Sequence, residues 1–177
     1  ALNKIKQLTR ITSSLPNSIR HSRCLFLKSI ILSKLGKANE ALILIMKNTI
    51  IEEDISGWGI QQRLLQIILA IRSKKEDLAE NLLSNLIRKF SHLPPAIITN
   101  QRILSIVSVL TMLKKEGFQP TNPEEQLLDQ LQKLSMADTP MSWSQMEPEV
   151  LRLHEEICDL LGISFKVKEK KLNQKTN

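Results

Sequence analysis

The sequence predicts an all-α protein built from antiparallel helical hairpins, and three observations carry that prediction. Apolar residues recur with the 3.6-residue period of a helix, as in Ile60, Leu64, Ile67, Ile68 and Ile71. The periodic stretches end at helix-stopping residues such as Gly36, Gly117 and Gly162, or at the Pro94–Pro95 pair. Strand markers are sparse: aromatic residues are 3% of the 177, and no Asn-Gly or Asp-Gly turn occurs.

Eight helices follow in order. The first covers about 1–11 and ends before "SSLPNS". The second, about 18–35, turns Cys24, Leu27, Ile31 and Leu35 to one face and stops at Gly36. The third, about 38–50, faces Ala38, Ala41, Leu42, Ile45 and Met46 inward, and "EEDISGWG" follows as a loop with Trp58 as its anchor. The fourth covers about 59–72. "SKKED" is a tight connection, and the fifth covers about 76–90 with Leu78, Leu82, Leu83, Leu86 and Phe90 on its stripe. The sixth, about 98–116, is apolar on nearly every face between Ile103 and Leu113, as a helix enclosed by neighbours would be. The seventh starts at "TNPEEQ", where Thr121 or Asn122 can cap and Pro123 suits a first turn, and buries Leu127, Leu128, Leu131 and Leu134. The eighth covers about 147–161, with Val150, Leu153, Ile157 and Leu160 inward. Residues 166–177 have little to bury and are expected to fray.

Charge is distributed unevenly. Residues 1–50 carry nine Lys or Arg against one Glu, net +8, whereas 121–163 carry nine acids against two bases, net −7. The whole chain is +7. Such asymmetry organises packing between segments or selects partners. The longest apolar run, Ile103–Leu113, is far shorter than the roughly 20 residues that cross a bilayer. No signal peptide or initiator Met opens the sequence, which reads as a processed or excised chain. Cys24 and Cys158 share no metal spacing and read as reduced core thiols, consistent with a reducing compartment.

Internal repetition is the strongest organisational signal. "ALNKIKQL" from Ala1, "ALILIMKN" from Ala41 and "AENLLSNL" from Ala79 each place Ile or Leu four residues after the Ala, at Ile5, Ile45 and Leu83. Ala1, Ala41 and Ala79 are nearly evenly spaced along the chain. A small residue near the start of a hairpin's second helix lets the two helices approach, and the bulky residue one turn later fills the space between them. A single hairpin leaves apolar faces uncovered, so hairpins stack.

This pattern resembles the tetratricopeptide repeat, a helix-turn-helix unit of about 34 residues. Residues 22–53 fit best: Leu25, Ser29 and Leu32 take the large, small and large places, Gly36 the turn, and Ala41 and Ile45 the small and bulky places. Lys28 stands where that family usually has Leu, Asn48 where it has Ala, and no Pro closes the unit. Residues 59–90 fit at Ala79, Leu83 and Leu86 but carry the large Ile67 at a small position. The layout also resembles tetratricopeptide-containing proteins of Bacteroidetes-type bacteria, with "MSWSQMEPEVLRLHEE" as their Trp- and acid-containing helical tail.

These resemblances imply tetratricopeptide-like repeats over 1–120 in a right-handed superhelix, the first repeat truncated. A divergent helical cap over 121–163 and a basic tail over 164–177 would follow. They imply a cytoplasmic scaffold or adaptor that takes a protein or peptide, of acidic character, on the concave face of its first helices, with Arg23, Lys28, Arg63 and Gln66 lining the groove. Lys28 and Lys47 could also line a groove for an acidic peptide. The alternative function is the sensory module of a transcription regulator whose DNA-binding portion lies elsewhere.

No catalytic residue, cofactor or metal is expected. His154 and Cys158 lie four apart on one helical face, but no second His completes a zinc-protease helix, so His154 reads as a surface or capping residue and the neighbouring acids as solvent-facing. "GWG" at 57–59 lacks the Lys-Ser/Thr of a phosphate loop. Lys4, Lys6, Arg10, Arg20, Arg23, Lys28, Lys34 and Lys37 could contact phosphates, yet scarce aromatics remove the stacking platforms that single strands need. Nucleic acid and membrane are therefore not the expected partners.

Overall fold

The computed structural model describes residues 19–48, 57–93, 100–118, 120–136 and 151–164, together with Gln7. The helix expected at 1–11, Trp143 with its flanking loop, Val150 and the tail lie outside these residues. Among the described residues there are seven α-helices, one 3-10 turn and no strand: α1 (Ile19–Lys34), α2 (Ala38–Met46), α3 (Trp58–Arg72), α4 (Glu76–Lys89) with the 3-10 turn Phe90–His92, α5 (Gln101–Lys115), α6 (Glu125–Ser135) and α7 (Leu153–Leu161). No helix among them is long and apolar enough to cross a membrane.

Consecutive helices pair: α1 with α2, α3 with α4, α5 with α6. The hairpins join through α2 against α3 and, more lightly, α4 against α5. The last helix, α7, does not extend the row. It packs on α6 and returns to α3. α6 is the hairpin partner of α5.

The first two hairpins share one register, which carries Gly36 onto Lys74 and Ala41 onto Ala79. At the end of α1, Gly36 adopts φ 76° and the Lys37 amide donates to the Leu32 carbonyl. At the end of α3, Lys74 adopts φ 57° and the Lys75 amide donates to the Ala70 carbonyl. Both are left-handed C-caps that satisfy carbonyls the helix leaves open. Lys74 adopts that conformation without being glycine, at a cost of about 1 kcal/mol. Beyond each turn the same register aligns Ala41 with Ala79 and Ile45 with Leu83, all fully buried. Small-then-bulky spacing thus performs the same packing task in both hairpins.

Helix α3 is the centre of the molecule. It touches α1, α2, α4 and α7, and from Gly59 to Ile71 every residue except Arg63 is buried. The sequence instead marks Ile103–Leu113 as the enclosed helix, but α5 leaves Leu104 exposed and Ile103 and Val107 half-buried. The polar residues on α3, Gln61, Gln62 and Gln66, disguise its centrality.

Several other expectations shift for physical reasons. In α1 the buried face is Ser22, Phe26, Ser29, Leu32 and Ser33, with Leu35 exposed. Serines occupy it because a small side chain permits close helix approach; Ser33 Oγ accepts from Arg72, whereas Ser22 Oγ is buried without a hydrogen-bond partner among the described residues. Ser29 Oγ donates to the Leu25 carbonyl. Helix α2 stops at Met46, which is exposed rather than inward. Helix α5 starts at Gln101 because Asn100 caps it, its side-chain oxygen accepting from the Arg102 and Ile103 amides at 3.0 and 3.1 Å. Helix α6 starts at Glu125 with no side-chain cap from Asn122 or Thr121, yet buries Leu127, Leu131 and Leu134 as its periodicity requires. Helix α7 begins at Leu153 rather than near 147. Trp58 opens α3 and lies edge-on to Phe26, with ring centroids 5.7 Å apart.

Candidate functional site

An open groove lies on the outer side of the α1–α2 hairpin, with a volume of about 470 Å³. Leu32 and Leu35 from α1 and its turn, with Ile43 and Leu44 from α2, provide its apolar lining. Lys28, Lys37, Glu40 and Lys47 complete it. Ile43 is 53% exposed and Leu35 42%. The run Ala41–Met46 is apolar at six consecutive positions, so one face of α2 serves the core through Ala41, Leu42 and Ile45 while Ile43 and Met46 face outward. Lys37 is paired with Glu40 at 2.9 Å. Lys28 and Lys47 are bonded to no carboxylate among the described residues.

The four residues expected to line a binding face separate. Lys28 lines the groove. Arg23 is half-buried, its guanidinium 4.9 Å from the centre of the Trp58 ring, a cation–π contact. Arg63 is half-buried on α3 and does not line the groove. Gln66 is only 4% exposed, and its Nε2 donates to the Ile45 carbonyl at 3.3 Å, so it ties α3 to α2 and is no lining residue. The expectation for Gln66 fails because polarity alone does not keep an amide at the surface when a neighbouring helix offers a partner. Lys47 does line the groove beside Lys28.

Among the described residues three polar clusters are buried, and each is a crosslink. In the first, Asn48 Nδ2 donates to the Ser22 carbonyl and to Gln62 Oε1, both at 2.8 Å, while Gln62 Nε2 donates to the Asn48 carbonyl. This ties α1, the end of α2, and α3. In the second, Glu156 on α7 is 1% exposed. Its Oε2 accepts from Arg72 Nη1 at 2.8 Å and its Oε1 lies 2.5 Å from Lys34 Nζ. Arg72 also donates to Ser33 Oγ and to the Glu156 carbonyl. Partial burial opposes the Lys34 charge, but the bonds to Glu156 and Asp159 outweigh it, and its pKa is raised. The expectation that the acids of this segment face solvent holds for Glu155 and Asp159 and fails for Glu156.

In the third cluster Arg102, 1% exposed, donates through Nη1 to the Leu134 carbonyl at 3.0 Å and through Nη2 to His154 Nδ1 at 2.7 Å. A guanidinium only donates, so His154 Nδ1 accepts and the imidazole proton sits on Nε2. His154 is therefore a buried residue, not a surface one. Burial first, then the Arg102 charge, lowers its pKa to about 4. Burial likewise pushes the Cys158 thiol up to about 11, so at neutral pH it is protonated and a poor nucleophile or ligand. Among the described residues no three His, Cys, Asp or Glu side chains group to hold a metal.

The His154 environment gives a pH prediction. The unfolded chain takes up a proton near pH 6.5 and the folded chain only near 4, so the unfolded state binds more protons in between and acid destabilises the fold. The His154 contribution should fall by roughly 2–3 kcal/mol from pH 7 to pH 4, at 1.36 kcal/mol per pKa unit and with allowance for residual hydration. His154→Asn keeps an acceptor for Arg102 but cannot titrate. In urea unfolding across this range, the stability difference between the native chain and His154→Asn should shift toward the variant as pH falls. A constant difference would remove the titration.

Compared with protein-family models, with curated proteins and with solved structures, the chain matches none.

Proposed function

We propose that this chain is a non-enzymatic interaction module that binds a protein or peptide segment on its first hairpin, its hairpins stacking in the manner of tetratricopeptide repeats. The open groove supports the reading: exposed Ile43 and Leu35 lie beside Lys28 and Lys47, which are bonded to no carboxylate among the described residues, in a molecule whose buried polar clusters are spent on internal bonds. The shared register of the two hairpins supports the stacking. The neutral, guanidinium-bound His154 and the protonated Cys158 favour a structural role over a catalytic one for the residues best suited to chemistry.

A selection of displayed random peptides, each about 16 residues or about 24 Å as a helix, on the immobilised full chain tests this reading. Enriched sequences should pair apolar residues with carboxylates and bind more weakly as salt is raised. Enrichment no greater than on an unrelated basic protein would remove the interaction reading.

A further inference from the structure

The repeat register says what kind of surface the groove is. In the register that carries Ala41 onto Ala79, Lys28 and Leu32 of α1 correspond to Gln66 and Ala70 of α3. On the second hairpin those places are closed: Ala70 is fully buried, and Gln66 is buried and bonded to the Ile45 carbonyl of α2. A helix of the neighbouring hairpin lies there. On the first hairpin the corresponding surface is the groove. It has the make-up of a stacking face, but Lys28 replaces the amide that meets a helix backbone one repeat later.

We infer that the groove receives an amphipathic helix of a partner protein. The repeat register would lay the chain's own 1–11 segment on α1 as α2 lies on α3, but that segment carries Lys4, Lys6 and Arg10 and no acid, so it would set like charges against Lys28 and Lys47. The partner helix would rest its apolar stripe on Leu32, Leu35, Ile43 and Leu44, and its flanking carboxylates would meet Lys28 and Lys47. This rests on the interaction reading above and names its partner class. The occupant is helical because the groove walls are helices whose main-chain groups are largely engaged within them. An extended strand would find few backbone partners there, whereas a helix brings its own hydrogen bonds. The occupant is acidic because Lys37 already has Glu40 at 2.9 Å, whereas Lys28 and Lys47 offer charge to an incoming group.

The test uses fluorescence anisotropy on the full chain with defined probes. One is a labelled helix-forming peptide with a Leu stripe flanked by Glu. A second carries Lys in place of each Glu, and a third has a central Pro. The Glu probe should bind the native chain. Ile43→Asp should weaken it at least tenfold, as should Lys28→Glu combined with Lys47→Glu. That charge-reversed chain should bind the Lys probe at least tenfold more tightly than the native chain does. These side chains lie at the surface or its edge, and circular dichroism should show unchanged helix content.

Binding undiminished by Ile43→Asp would overturn the groove while leaving the interaction reading intact, since the probe would then sit elsewhere. Equal binding of the Pro probe would overturn the helical occupant. A Glu probe that binds only after Ile5→Asp and Leu8→Asp would assign the groove to the chain's own leading segment. A dimer in sedimentation that Ile43→Asp dissolves would assign it to a second copy. Either would overturn the partner. No binding of the Glu probe would do so too, and if the peptide selection also fails, the interaction reading falls with it.

Discussion

Arg102→Ala should cost about 3–5 kcal/mol of folding stability, the largest effect of any substitution considered for this protein. Two losses combine. Truncation of a fully enclosed long side chain leaves a cavity that α5, α6 and α7 cannot close without moving, and large-to-small changes in such places cost about 2–5 kcal/mol. The Leu134 carbonyl and His154 Nδ1 also lose their donors, and a buried acceptor left unpaired costs about 1–3 kcal/mol. The two do not add fully, because water can enter the space vacated.

Arg102→Met separates them: it keeps much of the volume and none of the donors, so it should cost about 2–3 kcal/mol. Removing the guanidinium also removes one of the influences that lower the His154 pKa, so the acid sensitivity of Arg102→Met should be milder than that of the native chain. Urea unfolding at pH 7 and pH 5 checks both points. A loss below about 1 kcal/mol for the alanine variant would mean that Arg102 is not the buried keystone its contacts describe.

The helical class, the hairpin turns and the Ala-marked register were legible in the sequence because each rests on local chemistry. Gly36 ends α1 whatever surrounds it, and Ala41 with Ile45 records a contact inside its own hairpin. Which helix sits at the centre was not legible. Gln61, Gln62 and Gln66 give α3 the look of a half-exposed helix, and only the partners brought by folding make those amides cheap to bury. His154 and Glu156 were misread, and Arg102 passed over, for the same reason. Each is a polar residue on a helix whose partner lies on another helix far along the chain, so no spacing rule reports the pairing. The groove lies between these extremes. Lys28 and Lys47 could be named from the sequence, whereas the signal in the six-residue apolar run of α2, wider than one stripe needs, went unread, with Met46 placed on the inward face. The run's counterpart on the second hairpin, with Asn81 where Ile43 stands and Asn85 where Lys47 stands, lacks that signal.

Glu156→Ala should cost about 2–3 kcal/mol and act through α7. Lys34 and Arg72 are equivalent positions in the shared register of the two hairpins, and both point at this one carboxylate. Glu156 therefore fastens the closing helix to both repeats at once. Removing one partner of a buried pair costs about 3–5 kcal/mol when the remaining charge is stranded. Here the penalty is lower because Lys34 is half-exposed and can turn to water, while Arg72 keeps Ser33 and the residue-156 carbonyl. The same asymmetry orders the partners: Lys34→Met should cost about 1–2 kcal/mol, because the buried Glu156 Oε1 loses its cation while Oε2 keeps Arg72, and Arg72→Met distinctly more. Loss of the carboxylate should first release α7 rather than unfold the whole chain. Hydrogen exchange should therefore show protection falling at residues 157–161 in Glu156→Ala while the amides of α3 keep theirs until global unfolding. Uniform acceleration in both helices would make α7 part of one cooperative unit with α3. Unchanged protection in α7 would mean that the apolar contacts of Leu153 and Ile157 hold it without the ionic bolt.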